Sequence, residues 1–393
     1  MSGKKTIRLG FAGDLMLGGE PLRYAQERGL AITYPFRALI RTLSALDVLF
    51  INLEGPLFPN PAAAMRKPLL LSNHPAVVEV LKLPRICVCS LANNHALDYG
   101  AHALVETQRC LDKHGIRYLG AGRTAAEAER GLVVERSGWR IGCLAFTTDG
   151  PGLRSIIARD GKAGCASLRD TPALLKRVRN LKKDVDVVIV LLHWGREFYE
   201  YPGAAQVRLA HALVDAGAHL IVGHHPHAIQ AVEEYHGAVI AYSLGHLFMP
   251  PFRLPIDPVL HRQDLDCASP RALSLSKGVR PGRGPRRTPK RHAAVQDSAA
   301  SYDGPIYYPR PASKEFVLMR VELPDESPAF VNLVAGGLDP RFRLRPYNRI
   351  GLQAFRSRLD DLAWPLGQAG YGKFWRHYHA WRQQELKVLL RGP

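Results

Sequence analysis

The pentapeptide Gly223-His224-His225-Pro226-His227 follows directly on the apolar run Ala218-His219-Leu220-Ile221-Val222. A short, partly β-branched run ending at a glycine reads as a buried strand. The histidines at its end project several imidazole nitrogens into one small volume. Imidazole is the commonest metal ligand, and an x-His-x-His spacing lets two rings from one turn reach one site. Four more segments share this design: Gly13-Asp14, Asn52-Leu53-Glu54, Asn93-Asn94-His95 and His193-Trp194-Gly195. Each sets Asp, Glu, Asn or His at or just past the end of an apolar run. Open α/β sheets present ligands in this way, from loops beyond the carboxyl ends of their strands. The pattern predicts an α/β scaffold for a metal-dependent hydrolase.

Outward from these motifs, residues 6–12, 47–52, 85–91, 186–192 and 218–222 read as buried strands. Residues 75–82, 101–114, 170–183 and 204–217 read as helices. Segments 130–136 and 139–146 flank Ser137-Gly138, and 229–234 and 238–243 flank Tyr235-His236-Gly237, so both pairs predict hairpins. Strands mixed with crossover helices imply both parallel and antiparallel pairing in a layered fold. Residues 314–323 and 329–334 are expected to rejoin the core as strands. Residues 351–390 carry apolar side chains, several of them aromatic, and charge at roughly helical spacing (Phe355, Leu359, Leu362, then Phe374, Tyr378, Trp381). The expected organisation is one domain over 1–340, interrupted by a basic insertion at about 253–312, and a C-terminal helical extension over 341–393.

The net charge of +18 raises the question of a polyanionic partner. Eight basic residues and no acid lie between Cys267 and Gln296, so the rest of the chain carries eight fewer, +10. That segment has a disordered-loop composition, including Pro281-Gly282-Arg283-Gly284-Pro285-Arg286-Arg287. Residues 268–300 contain no aromatic side chain to stack on bases, which argues against nucleic acid as the partner. The six cysteines form no CxxC pair. Cys87 and Cys89 alternate along a strand and are expected to be buried thiols on one face of a sheet. No apolar stretch approaches the roughly 18 residues of a membrane span. Met1-Ser2-Gly3-Lys4-Lys5 runs straight into a strand without an apolar h-region, which predicts a cytoplasmic protein. Peripheral membrane association through the C-terminal aromatics is the alternative.

Each polar residue at a strand end has chemistry of its own. Asp14 is a hard anionic ligand, and the two oxygens of Glu54 suit it to bridge two ions. Asn94 offers a neutral carbonyl oxygen, and His193, His225 and His227 complete a mixed N/O set large enough for two metals. Taken singly, each has an ordinary structural explanation: a helix cap for Asp14, a turn for Asn93-Asn94, a core histidine for His193. Their recurrence at five strand ends reverses that judgement.

The ordered motifs Gly13-Asp14-Leu15-Met16-Leu17-Gly18, Asn52-Leu53-Glu54, Ala92-Asn93-Asn94-His95 with Asp98 and Gly100, Leu192-His193-Trp194-Gly195, Gly223-His224-His225-Pro226-His227 and Tyr242-Ser243-Leu244-Gly245 resemble the CapA-type poly-γ-glutamate capsule-synthesis family. This family lies within the calcineurin-like metallophosphoesterase superfamily, and the resemblance covers roughly residues 6–249. It implies a metallophosphatase-like sandwich of two mixed β-sheets flanked by helices. It also implies two divalent ions (Mn, Zn, Fe or Mg), with Asp14 and His227 at the first and Asn94, His193 and His225 at the second. Glu54 would bridge them, and His95 would act as general acid or transition-state stabiliser. Asn93, Trp194, His224, Ser243 and His246 are expected on the substrate side, with His224 an alternative ligand. The implied function is hydrolysis of a phosphoester or γ-glutamyl amide through metal-activated water, on an anionic substrate and with capsule-synthesis partners. The alternative is a non-catalytic, polymer-binding assembly subunit.

Two departures stand out. The superfamily places a metal-binding His two residues after its first Asp. This chain has Met16 there, as the capsule branch typically does, which leaves the first metal one ligand short. The capsule family usually has Asn after Ser-Leu-Gly, whereas this chain has His246. That histidine reads as a loop substitution, with an extra polar or metal-binding group as the alternative.

Overall fold

A computed structural model describes residues 4–58, 70–148, 156–249, 315–324, 330–368 and 370–391. The expected insertion at about 253–312, with its basic segment 268–300, lies outside these residues, as does Cys267. The strands in chain order are β1 (Ile7–Leu15), β2 (Val48–Leu53), β3 (Ile86–Ser90), β4 (Arg117–Leu119), β5 (Ala121–Gly122), β6 (Leu132–Arg136), β7 (Trp139–Thr147) and β8 (Gly164–Cys165). They continue as β9 (Val187–His193), β10 (Leu220–His224), β11 (Val232–Tyr235), β12 (Ala238–Ala241), β13 (His246–Phe248), β14 (Glu315–Leu323), β15 (Phe330–Leu338) and β16 (Leu344–Pro346). They build an eight-stranded sheet, β16-β15-β14-β13-β1-β2-β3-β4, and a six-stranded sheet, β11-β12-β10-β9-β7-β6, with β5 and β8 as a separate pair. Both large sheets are mixed. Parallel neighbours of β1 and β9 carry the centres, and antiparallel hairpins close the edges.

The sequence explains which face of each strand is inside. Ile7, Leu9 and Phe11 alternate along β1 and join Val48 and Phe50 of β2 in the core shared with the second sheet. Phe11 and Phe50 are register partners whose rings stack at 5.1 Å. The intervening Leu49, Ile51 and Leu53 face the opposite side, with Cys87 and Cys89 of β3. Both cysteines are buried free thiols on one face, as their alternation predicts. All seven residues of β9 are buried. The helices Thr171–Lys182 and Ala204–Asp215 put Leu174, Val178, Val207 and Leu213 into the same core. A parallel strand covered on both faces must read as an unbroken apolar run, which is why Val187–Leu192 is so legible. Burying each such side chain contributes about 1.5–3 kcal/mol.

The C-terminal helices Arg349–Ala363 and Tyr371–Arg391 are not detached from this core: Phe355, Leu359, Leu362 and Tyr371 pack into it. Among the described residues, no helix is long and apolar enough to cross a membrane.

One glycine controls how close the sheet brings its backbones to the histidine turn. A Cβ on Gly223 would lie 1.8 Å from the Tyr242 carbonyl oxygen and 2.6 Å from the Trp194 indole nitrogen. Neither neighbour is a flexible tip. Gly223→Ala is therefore expected to destabilise the protein by about 3 kcal/mol or more, measured as a fall in denaturation midpoint. An unchanged midpoint would show that β10 and β12 can separate without cost.

Candidate metal centre

The carboxyl ends of β1, β2, β9 and β10, the loop after β3 and the start of β13 meet at one end of the two sheets. Asp14 and Glu54 are fully buried there, and Asn94, His193, His225, His227 and His246 are nearly so. Asp14 and Asn52 are register partners on adjacent strands, and Asn52 Nδ2 donates to Asp14 Oδ1 at 2.8 Å. The same amide nitrogen lies 3.4 Å from His193 Nδ1, so Asn52 ties the two halves of the cluster together from behind. His193 Nε2 and Asn94 Oδ1 converge to 2.9 Å. Two ligands of one ion, each at about 2.0–2.3 Å from it, stand at a similar separation. His227 Nδ1 is 3.1 Å from Asp14 Oδ2, and His227 Nε2 is 3.7 Å from Glu54 Oε1. The His225 ring lies 4.7 Å from that of His193 and 6.0 Å from that of His227.

The backbone is bent to achieve this. His225 (φ 94°) and His227 (φ 53°) both occupy the left-handed region on either side of Pro226. Such conformations cost of order 1–3 kcal/mol each in non-glycine residues and persist where surrounding contacts enforce them. Here Phe198 N donates to Pro226 O at 2.6 Å, and His225 N points to Asp14 Oδ2 at 3.4 Å.

The electrostatics divide the histidines. Burial pushes His225 down to about 4. It pushes His193 well below its ordinary value, helped by His225. Both are neutral imidazoles with lone pairs to offer. Burial acts downwards on His227 too, but Glu54 and Asp14 outweigh it and push this ring up to about 10. Burial favours protonated Asp14, yet the His227 contact outweighs it and holds the carboxyl well below the usual range. Glu54 is raised well above its ordinary value by burial and by the Asp14 charge. Neither Glu54 oxygen receives a hydrogen bond, and His225 Nδ1 also lacks one.

The donor set therefore fits divalent cations: buried carboxylate oxygens and imidazole nitrogens face one another with unsatisfied valence. Asp14, His227 and His246 form one group whose ligand atoms lie within 4.8 Å of one another, and Glu197, His225 and His227 form another. Without metal at pH 7, His227 holds a proton that a cation must displace. Metal uptake is expected to release about one proton per chain, from His227, read with a pH indicator in weak buffer, and affinity should fall as the pH is lowered below 7. In the chelated protein the sign is opposite. The raised His227 pKa stabilises fully below 6.5, and that contribution is lost as the pH rises through about 10.

His95 sits at the rim. Its Nδ1 pairs with Asp98 Oδ2 at 2.6 Å, and that oxygen also accepts from Leu71 N at 2.7 Å. Its backbone N–H is donated to Asn93 Oδ1 at 3.1 Å, and His95 is among the charges that act on His225.

Four of the five residues expected on the substrate side are committed elsewhere. Trp194 is buried, stacks on Tyr242 and gives its N–H to the Tyr242 carbonyl at 3.0 Å. His224 Nε2 is committed to the Ala12 carbonyl at 3.2 Å. Asn93 holds Asn52 Oδ1 and the Leu53 carbonyl, and Ser243 Oγ accepts from Gly245 N. These four side chains are engaged in hydrogen bonds with the backbone or with Asn52. His246 is not in a loop: it begins β13 as the register partner of Asp14, and its ring lies 4.9 Å from that of His227.

Asn52, Asp98 and Glu197 were not among the predicted site residues. Glu197 lies two positions past Gly195, a spacing that the sequence displays but that carries no strand-end signal. Its loop is held by Arg382, whose Nε and Nη2 donate to the Phe198 carbonyl at 3.0 and 2.7 Å from the C-terminal helix.

Two mixed sheets with carboxylate, amide and imidazole donors gathered at their strand ends define an α/β protein with a candidate metal centre. The chain belongs to the family described as bacterial capsule synthesis protein PGA_cap, matched over residues 8–250. It is 32% identical over 243 residues to the PGA biosynthesis protein CapA of Bacillus subtilis, a match covering 61% of this chain and 63% of that protein. It is 34% identical over 212 residues to a probable polyglutamine synthesis accessory protein of Mycobacterium tuberculosis, covering 51% and 55%. The chain thus spans less than two thirds of the length of these curated relatives. Among solved structures, a phosphatase of Mycoplasma pneumoniae is similar at TM-score 0.44 and 12% identity, covering 86% of this chain and 96% of that one.

Proposed function

We propose that this chain is a metal-dependent hydrolase of capsule or poly-γ-glutamate synthesis, cleaving a phosphoester or a γ-glutamyl amide. The observation that carries the reading is Glu54, a fully buried carboxyl whose two oxygens lack hydrogen bonds and face His227. Leaving such a group unsatisfied costs on the order of 1–3 kcal/mol or more. A bridging position between two cations would satisfy both oxygens. Asp14 and His227 would hold one ion, and Asn94, His193 and His225 the other. Two such ions would supply a water nucleophile at neutral pH and charge stabilisation, for in-line displacement at phosphorus or for addition to an amide carbonyl. The protein's own part is to keep His193 and His225 neutral through burial, to lock Asp14 through Asn52, and to orient His95 through Asp98. With Nδ1 committed to Asp98, His95 Nε2 is the atom that would pass a proton to the leaving oxygen or nitrogen. The net positive charge suits an anionic substrate, and capsule-synthesis proteins are the partners in this reading.

The test is turnover by the full chain on an aryl phosphate and on a γ-glutamyl oligomer, with Mn, Zn or Mg supplied. Metal-dependent release of phenol or glutamate supports the reading. A fully metal-loaded protein that turns over neither favours the polymer-binding subunit instead.

A further inference from the structure

We propose that His246 is a protein ligand of the metal on the Asp14 side, so that this ion is held by Asp14, His227 and His246 together. The proposal rests on the metal-centre reading above and adds a residue to it.

Register comes first. In the parallel pairing of β1 with β13, Asp14 and His246 are direct partners, and on the other flank Asp14 partners Asn52. Register neighbours point to the same face of a sheet. The His246 ring therefore stands beside the Asp14 carboxylate by construction.

Distance comes second. The ligand atoms of Asp14, His227 and His246 lie within 4.8 Å of one another, and all three residues are buried. Ligand bonds of about 2.0–2.3 Å place the donors of one ion about 3–4 Å apart. Small rotations of two rings close the difference.

The scaffold under the three donors is stiff. Asp14 N donates to Gly245 O and Met16 N to Phe248 O, both at 2.8 Å, so β13 is fixed to β1 on either side of His246. Gly13 packs directly on Gly245, where a Cβ would come within 2.2 Å of the carbonyl oxygen. Met16, by contrast, puts its side chain into an apolar cluster with Leu71 and Met249.

The chemistry comes last. One carboxylate and two imidazoles make a mixed set suited to Zn, Mn or Fe, with positions left open for a bridging group and a water. With His246 counted, each ion has three donors of its own, and Glu54 is shared between them. The two sites become balanced, where six residues alone would leave the Asp14 ion with two.

The experiment uses the full chain, stripped with a chelator and titrated with Co²⁺ alone, following visible absorption and bound cobalt per chain. Wild type is expected to bind two cobalt ions. In His246→Leu, one of the two should weaken by on the order of 100-fold or more, since even indirect partners of ligands cost 10–100-fold. The other ion should keep its affinity. Equal affinity and an unchanged spectrum for both ions in the variant would overturn the proposal while leaving the metal centre standing. No cobalt uptake by wild type would overturn the metal centre itself, and His246 with it. Wild-type protein also carries its own readout should the variant fail to fold. In its proton NMR spectrum, cobalt-bound imidazoles give hyperfine-shifted, exchangeable ring N–H signals. Four such signals (His193, His225, His227 and His246) support the assignment, and three refute it.

Discussion

Replacing His95 by asparagine is expected to lower turnover by on the order of 10²–10⁴-fold, with bound metal and melting temperature close to wild type. The expectation follows from how the side chain is held. Asp98 is fully buried and its Oδ2 accepts from both His95 Nδ1 and Leu71 N, so the ring is held in one orientation through Nδ1. An imidazole whose ordinary pKa lies near 6.5 is suited to deliver a proton near neutral pH. The contacts Asn52–Asp14, Asn94–His193 and His227–Asp14 do not run through the His95 ring, so its loss leaves them in place. Asp98→Asn makes the companion variant. As a positioning change it should weaken turnover less than His95→Asn does, and mainly through kcat rather than KM. If instead His95→Asn lowers the melting temperature while activity per folded molecule survives, His95 serves only the turn leading into the helix Gly100–Lys113.

The second large effect is expected at Glu54. Glu54→Gln keeps the shape of the side chain but removes the anionic oxygen a second ion would need. At least one of two ions should be lost, and turnover should fall by about 10³-fold or more. The metal-free protein should melt at much the same temperature as wild type, because glutamine keeps the side chain's shape and burial already disfavours the charged form of the carboxyl there. Ligand binding at 100 times the dissociation constant stabilises a fold by about 2.7 kcal/mol. The rise in melting temperature on adding Mn or Zn should therefore be present in wild type and much reduced in the variant. A variant that keeps the full rise and both ions would remove Glu54 from the bridging position.

Which parts of this protein were legible in its chain depends on the range of the physics involved. The strand Val187–His193 announces itself because a parallel strand buried on both faces has no polar positions, and that property is local. The hairpin of β6 and β7 and the helix Thr171–Lys182, with Asp170 capping Ala173 N, are set by neighbours a few residues apart. The short strand β13 left no such trace. Its three residues are too few for a period, and its pairing partner Asp14 lies far away in sequence.

The site divides in the same way. The strand-end pattern grouped Asp14, Glu54, Asn94, His193, His225 and His227 as candidates, since each lies at or just past the end of a strand in one of the two sheets. Which of the three histidines in Gly223–His227 turn inward was not readable. It is decided by left-handed backbone at His225 and His227, which leaves His224 facing the Ala12 carbonyl. Trp194 shows the same limit: beside His193 in sequence, it faces the opposite side and belongs to the core.

By itself, then, the chain determined its layered α/β class, its strand ends and the donor types gathered there, because hydrophobic period and residue chemistry are local quantities. Only the tertiary structure decided that Asn52 joins Asp14 to His193, that Arg382 of a distant helix holds the loop of Glu197, and that His246 stands beside Asp14. These are contacts between segments far apart in sequence, set by sheet register and helix docking. No local pattern of residues encodes them.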